Sequence, residues 1–300
     1  MEEVKLIVNP VAGGGTVGKH WPRIRRILEA EGLEFEASLS EGKGHAAELA
    51  RQALNGGYKT VVALGGDGTV NEVINGLMAE GDNEVTLGII PGEKGNDLAR
   101  TLGIPFDYAA ACRKLLAGKA VPLDLGRITY HGGEGRHYFI NAAGLGFDAE
   151  VVRRVTPRLR ALSNPTVRYL SGLFLTLASY KNREARIAIE GEVLRERVFS
   201  IVVCNGRYFG GGMEIAPRAE PDDGLFDVVV IGDFARWEIL ANLSRVYRGT
   251  HLSHPKVKLF RAKEVKVEAQ EPMLLQADGE LVGATPATFE LIPRAIKVLV

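Results

Sequence analysis

The sequence predicts an α/β domain on a parallel sheet, followed by a second domain of antiparallel β-structure. Three observations carry this expectation. Over the first 125 residues, short and nearly continuous apolar runs alternate with helical patterns. Three of the first four apolar runs end in glycine-rich loops. Beyond Pro122 the strand-like segments follow one another with few helices between them, and several alternate, as Val265, Val267 and Ala269 do against Lys266 and Glu268. Continuous apolar strands suit a parallel sheet covered on both faces, and alternation suits antiparallel sheets or sandwiches.

The elements follow in order. Val4–Val8, Phe35–Leu39, Thr60–Leu64 and Val85–Ile90 read as buried strands. Helices are expected at about Gly18–Ala30, Gly44–Leu54 and Val70–Ala79, from Asp97, and over Tyr108–Ala117. In the second half, strands are expected at Arg136–Ala143, Ala185–Glu190, Val198–Cys204, Leu225–Ile231, Val257–Phe260, Val265–Ala269, Met273–Gln276, Thr288–Leu291 and Ile296–Val300. Two helices interrupt them, at about Thr166–Tyr180 and Arg236–Tyr247. With no internal repeat and no low-complexity linker, the boundary between the halves falls near residue 125.

Composition narrows the function. Lys+Arg and Asp+Glu balance at 37 each, which argues against a nucleic-acid partner that needs a basic surface. The two cysteines, Cys112 and Cys204, make neither a disulfide framework nor a Cys-x-x-Cys metal site, and fit a reducing cytoplasm. The start Met1-Glu2-Glu3-Val4-Lys5 does not read as a signal peptide. The longest charge-free apolar stretch, Tyr169–Tyr180, is well short of the ~20 residues of a membrane span.

Four loops carry chemistry. After the third strand comes Gly65-Gly66-Asp67-Gly68-Thr69, leading into a helix at Val70 that contains Asn71 and Glu72. Glycines let backbone approach a ligand, a helix N-terminus offers N–H donors to an anion, and Asp67 places a carboxylate where a phosphate-bound Mg²⁺ wants one. After the first strand comes Asn9-Pro10-Val11-Ala12-Gly13-Gly14-Gly15. Gly13, Gly15 and Gly18 form a Gly-x-Gly-x-x-Gly pattern, but its first glycine lies too far beyond the strand for a dinucleotide fingerprint. This segment reads as a phosphate loop or a connector. After the fourth strand, in Pro91-Gly92-Glu93-Lys94-Gly95-Asn96-Asp97, Asn96 and Asp97 are either helix caps or ligand contacts. The fourth loop, Gln276-Ala277-Asp278-Gly279-Glu280, taken alone is a hairpin turn.

Taken together, Asn9-Pro10-x-x-Gly13, Gly65–Thr69 with Asn71-Glu72, Pro91…Gly95-Asn96-Asp97, Leu123-Asp124-Leu125-Gly126, Asn141…Gly144-x-Gly146-x-Asp148 and Asp278-Gly279-Glu280 resemble the diacylglycerol kinase catalytic domain. The resemblance is strongest to the soluble bacterial lipid kinases related to sphingosine and ceramide kinases. It covers nearly the whole chain in order. It implies an N-terminal phosphofructokinase- or NAD-kinase-like three-layer α/β domain, residues 1–125 with a strand returning at about 288–300, and a C-terminal β-sandwich, residues 126–287. The active site would lie in the interdomain cleft. The implied activity is transfer of the γ-phosphoryl group of ATP, with Mg²⁺, to a lipid hydroxyl such as that of diacylglycerol.

Residue by residue, the resemblance implies that Asn9, Pro10, Val11, Ala12, Gly13, Ser40 and the run Gly65, Gly66, Asp67, Gly68, Thr69, Val70, Asn71, Glu72 hold ATP, with Asn96 nearby. Asp67, Asp97 and Asp124 match acidic positions around the phosphates and Mg²⁺. Glu220, Asp223 and Leu225 match a second, structural metal loop. Glu93-Lys94 departs from the family's Gly-Thr; Lys94 adds a positive charge near the nucleotide and pairs either with a phosphate or with Glu93. The catalytic residues the resemblance implies are Glu280, Asp278 and Asp67, with Glu280 or Asp278 as the base and Glu280 preferred.

The lipid acceptor implies contact with a membrane surface, so the expected location is cytoplasmic with peripheral association at the inner membrane. Arg153, Arg154, Arg158 and Arg160, beside the stripe Leu170, Leu173, Phe174 and Leu177, are candidates for that contact. A homodimer is left open. Two rival readings stand: an NAD-kinase-like phosphotransferase, and a nucleotide- or lipid-binding sensor without turnover.

Overall fold

A computed structural model describes residues 4–79, 81, 84–154 and 165–300. The chain divides into two compact units, one running up to Leu123 with Arg294–Val300 added, the other from Asp124 to Pro293.

In the first unit, strands β1 (Val4–Val8), β2 (Phe35–Leu39), β3 (Thr60–Gly65) and β4 (Thr86–Pro91) pair in parallel in the order β2-β1-β3-β4. The end of the last strand, β16 (Ala287–Leu299), adds in parallel to β4 through Lys297 and Val298. Helices α1 (Ala12–Ala30), α2 (His45–Asn55), α3 (Asp67–Leu77), α4 (Asp97–Thr101) and α5 (Tyr108–Ala117) connect the strands. Alternate residues explain the layering. Val4, Leu6, Val8, Val62, Leu64 and Ile90 pack against Val17, Ile24 and Leu28 of α1 and Cys112 and Leu115 of α5. The residues between them, Ile7, Val61, Ala63, Leu87 and Ile89, are equally buried, so both faces are covered. On α3, Gly76 admits the α2 backbone, since a Cβ there would lie 2.1 Å from the carbonyl oxygen of Ala47.

The second unit is a β-sandwich. Its strands are β5 (Ala120–Tyr130), β6 (Gly135–Phe139), β7 (Ala142–Gly146), β8 (Arg183–Ile189), β9 (Glu192–Val198), β10 (Ser200–Cys204), β11 (Phe226–Ile231), β12 (Val257–Ala262), β13 (Glu264–Ala269), β14 (Leu274–Ala277), β15 (Glu280–Ala284) and the first part of β16. One sheet runs β16-β13-β8-β9, with β5 paired to β16 and β6; the other runs β12-β11-β10-β7-β14-β15. Phe139, Leu145, Ile201, Phe226, Val265 and Phe289 interleave between them. Helices α6 (Phe147–Arg154), α7 (Pro165–Leu177) and α8 (Arg236–Val246) complete the unit.

The structure corrects several expected elements. Arg136–Ala143 is not one strand: it breaks at Ile140-Asn141, whose amides are drawn to Asp278. Thr288–Leu291 and Ile296–Val300 are one strand, β16. α3 begins at Asp67 rather than Val70, which puts Asp67 in the first helical turn. The stripe on α7 does not face one way: Leu173 and Leu177 are buried, while Phe174 and Leu175 are exposed. Arg158 and Arg160 lie outside the described residues, as does the side chain of Leu170. Arg153 pairs with Glu150, and Arg154 donates to the carbonyl of Leu175 at 3.2 Å. Both cysteines are buried free thiols, and burial pushes Cys112 up to about 11.

Candidate active site

In the first unit, three of the four loops meet at the carboxyl ends of β1, β3 and β4, where ligands of such sheets sit. Asn9 Nδ2 donates to Thr69 Oγ1 at 2.9 Å, tying the first loop to the second. The Gly92 amide donates to the Gly65 carbonyl at 2.7 Å, tying the third to the second. A Cβ on Gly13 would meet the Gly92 carbonyl at 3.0 Å, and one on Gly66 would lie 2.7 Å from Glu93 Oε1. Gly13, Gly14 and Gly15 are three successive left-handed residues, a path that side-chain-bearing residues rarely take. Val11 stands 73% exposed at the tip, with Pro10 and Ala12 beside it.

Asp67 and Asp97 come together here. The Asp67 carboxylate accepts the Asp97 amide at 2.9 Å and the Leu98 amide at 3.3 Å, so it caps α4. Asp97 pairs with Arg100 at 2.9 Å. Asn96 is fully buried; its Oδ1 accepts the Ala99 amide at 2.7 Å, while its Nδ2 finds no acceptor among the described residues. A buried donor without a partner costs about 1–3 kcal/mol, so this atom is a point of unmet hydrogen bonding beneath the loops. Thr69, Val70 and Asn71 are buried in the first turns of α3, next to Gly68. Glu72 has a structural part, accepting the amides of Gly44 at 2.9 Å and Ala46 at 3.2 Å at the start of α2. Ser40 is buried, with its amide on the Val8 carbonyl at 2.8 Å. Lys94 is exposed, and its carbonyl accepts from Arg100 at 2.8 Å.

In the second unit, Asp278 and Gly279 form the two-residue turn between β14 and β15, both at positive φ (46° and 86°), as a tight hairpin demands. The Asp278 carboxylate accepts three backbone amides, from Ile140 at 3.0 Å, Asn141 at 3.1 Å and Ala142 at 3.0 Å. Glu280, one residue past the turn, is half-buried. The two carboxylates that sequence alone did not separate thus differ in setting: Asp278 is buried and locks backbone, whereas Glu280 is only half-buried at the start of β15.

Asp124 is fully buried beside the loop that holds Glu220, Asp223 and Leu225. Its Oδ2 accepts the Gly224 amide at 2.7 Å, and its own amide donates to the Pro221 carbonyl at 2.8 Å. Asp223 accepts the Leu225 amide at 3.0 Å and is ion-paired to Arg261. Asn205 donates to the carbonyls of Asp124 at 2.9 Å and Ile140 at 2.7 Å. The buried Oδ1 atoms of Asn141 and Asn205 have no donor among the described residues. Oxygens of this kind suit a hard cation or its bound water, but Arg261 already pairs with Asp223, and no group of three or more Asp, Glu, His or Cys placed to hold a metal occurs among the described residues.

Sequence reasoning gave no role to Asp148 and did not see the cavity beside it. The cavity lies under α7 and α8 on the outer face of the six-stranded sheet, lined by apolar groups such as Phe147, Leu173, Phe199, Met213 and Leu243, with Asp148 and Ser200 among them. Burial pushes the Asp148 carboxyl up to about 6, against the opposing hydrogen bonds from Ser200 and Gln276. Burial also pushes the lining His251 down, toward the neutral ring. The spacing Gly144-x-Gly146-x-Asp148 is the sequence signal that pointed here.

Comparison with known proteins agrees with this layout. Residues 3–128 match the diacylglycerol kinase catalytic domain, and residues 141–300 match the YegS C-terminal NAD kinase beta sandwich-like domain. The chain is 32% identical over 300 residues to the diacylglycerol kinase of Bacillus subtilis (strain 168), covering 100% of this chain and 96% of that one. It is 30% identical over 297 residues to the diacylglycerol kinase of Staphylococcus carnosus (strain TM300), covering 99% and 94%. A crystal structure of a provisionally named diacylglycerol kinase from Bacillus anthracis str. Sterne superposes with a TM-score of 0.81 at 27% identity, covering 99% of this chain and 95% of that one. The fold and these relatives define a lipid kinase. The chain belongs to the diacylglycerol kinase family.

Proposed function

We propose that the protein transfers the γ-phosphoryl group of ATP to the free hydroxyl of diacylglycerol or a close lipid alcohol. The observation that carries this is the junction of the three glycine loops at the carboxyl ends of β1, β3 and β4, tied together through Asn9–Thr69 and Gly92–Gly65, with α3 starting there and its N-terminus suited to an anion. In the first unit Asp67 and Asp97 would hold Mg²⁺ or its water; in the second, Asp223 with the carbonyls of Glu220 and Leu225, beside Asp124, would hold a second cation. When bound, Mg²⁺ neutralises phosphate charge.

Phosphoryl transfer depends mostly on positioning and charge neutralisation. The loops orient the nucleotide. The acceptor oxygen forms the new O–P bond, the bond to the ADP oxygen breaks, and Glu280 takes the hydroxyl proton. The apolar cavity suits an acyl chain. Its covering helices carry exposed Phe174 and Leu175 on α7 and Trp237 and Leu240 on α8, so their outer faces suit a bilayer surface. No helix among the described residues is long and apolar enough to cross a membrane.

Incubation with γ-labelled ATP, Mg²⁺ and a panel of lipid alcohols tests the reading, with NAD⁺ as the competing acceptor. Label in lipid supports it; label in NADP⁺ or none in any acceptor rejects it. Flotation with vesicles tests surface binding: Trp237→Ala should weaken it, and equal flotation of both proteins would remove that face from the account.

A further inference from the structure

The turn that presents Glu280 is fastened from two sides. Asp278 accounts for one, through its three amides. The other starts at Asp148 in the first turn of α6, whose carboxylate is 3% exposed and lines the apolar cavity. The Ser200 hydroxyl donates to Asp148 Oδ1, and Gln276 Nε2 donates to Asp148 Oδ2 at 3.1 Å. The other end of the same amide, Gln276 Oε1, accepts the backbone N–H of Gly279 at 2.9 Å. Gly144 makes room for the contact: a Cβ there would lie 1.6 Å from Asp148 Oδ2 and 2.9 Å from Gln276 Nε2.

The orientation of this amide is dictated. Reversed, its oxygen would face the carboxylate and its NH₂ would face the Gly279 N–H. An ionised Asp148 therefore fixes Gln276, and Gln276 fixes the turn. We infer that Asp148 is a positioning residue for Glu280, acting through Gln276 and the Gly279 amide. The inference rests on the reading of Glu280 as base.

Protonation of Asp148 would supply a donor, release the constraint on Gln276 and loosen the turn. Burial pushes this carboxyl up to about 6, so the change falls near neutral pH. Several groups surround it. Tyr180 and Cys204 are pushed up by burial and stay neutral. His251 on the cavity wall is pushed down. Glu150 on α6 is paired with Arg153. His254 and Asn242 line the cavity, and α7 brings Leu173.

The test uses the full ¹⁵N-labelled chain. The Gly279 amide resonance is followed from acid to alkaline pH, alongside kcat and KM profiles, for the wild type, Asp148→Asn, Gln276→Met and Glu280→Gln. In the wild type the resonance should titrate with a midpoint at about 6, and kcat should fall below that midpoint while KM for ATP holds. Asp148→Asn and Gln276→Met should erase the midpoint and lower kcat by about tenfold to a hundredfold, the scale of a small misplacement of a reacting group. Glu280→Gln should lose turnover yet keep the Gly279 titration. A wild-type resonance insensitive to pH, or wild-type kcat in Gln276→Met, overturns the inference. Full turnover in Glu280→Gln overturns the base reading instead, and the resonance still decides the coupling. If Asp148→Asn does not fold, the wild-type titration and Gln276→Met decide it.

Discussion

The carboxylate of Asp67 holds the amides of Asp97 and Leu98, at 2.9 and 3.3 Å, so one acidic residue of the glycine loops fixes the position of another. A carboxylate at a helix N-terminus both satisfies orphan donors and meets the positive end of the dipole. Asp67→Asn should therefore act twice: it weakens a cap, costing about 1 kcal/mol, and it raises the Mg²⁺ concentration needed for turnover. Urea unfolding and Mg²⁺ titration of the rate measure the two effects. An unchanged Mg²⁺ dependence would leave Asp67 with the capping role alone.

Asn96 allows capping and ligand contact to be separated. Asn96→Asp keeps the oxygen that accepts the Ala99 amide and removes the buried Nδ2 donor. Stability should fall, because the new carboxylate is fully buried beside Asp97, and the Kd for ATP should rise about tenfold or more, since a hydrogen bond to a charged group is worth about 1.5–3 kcal/mol. Unchanged ATP affinity by calorimetry would contradict a nucleotide contact.

Asp278 and Glu280 should separate by phenotype. Asp278→Ala strands three buried amides, each worth about 1–3 kcal/mol, and should lower Tm sharply. Glu280→Gln should leave Tm near wild type and cut kcat by about 10²–10⁴-fold, the usual contribution of a general base. The reverse pattern would assign the base to Asp278.

Stability should also report on Asp148. Burial pushes its folded carboxyl up to about 6, above the ordinary 3.8, so the folded state should bind this proton more tightly than the unfolded chain does. The resulting stabilisation is fully present below the ordinary value and is lost as pH rises through about 6, a change on the order of 3 kcal/mol. Asp148→Asn should flatten that part of the curve of unfolding free energy against pH. An unchanged slope between pH about 4 and 7 would contradict the buried carboxyl.

The first unit was legible because its signals are local. Val4–Val8 and Phe35–Leu39 are strands with the expected bounds. The glycine loops sit where the strands end. In the second unit the signals are weak or remote. β9, Glu192–Val198, is mostly polar and ends the order of its sheet, so few of its side chains need to be apolar. β5 carries Pro122, Asp124 and Gly126, residue types that strands disfavour, and no strand is expected there from sequence. An Asp-Gly pair looks the same whether its carboxylate is a base or a backbone lock; only the three amides at residues 140–142 separate them. The partner of Asp148 lies 128 residues away, beyond any local pattern.

The most direct measurement is transfer of label from γ-labelled ATP into lipid by the purified full chain, with Mg²⁺ and mixed micelles of diacylglycerol. The account predicts label in the lipid phase that disappears on chelation of Mg²⁺ and in Glu280→Gln. Label that enters NAD⁺ rather than lipid, or lipid phosphorylation undiminished in Glu280→Gln, would contradict it.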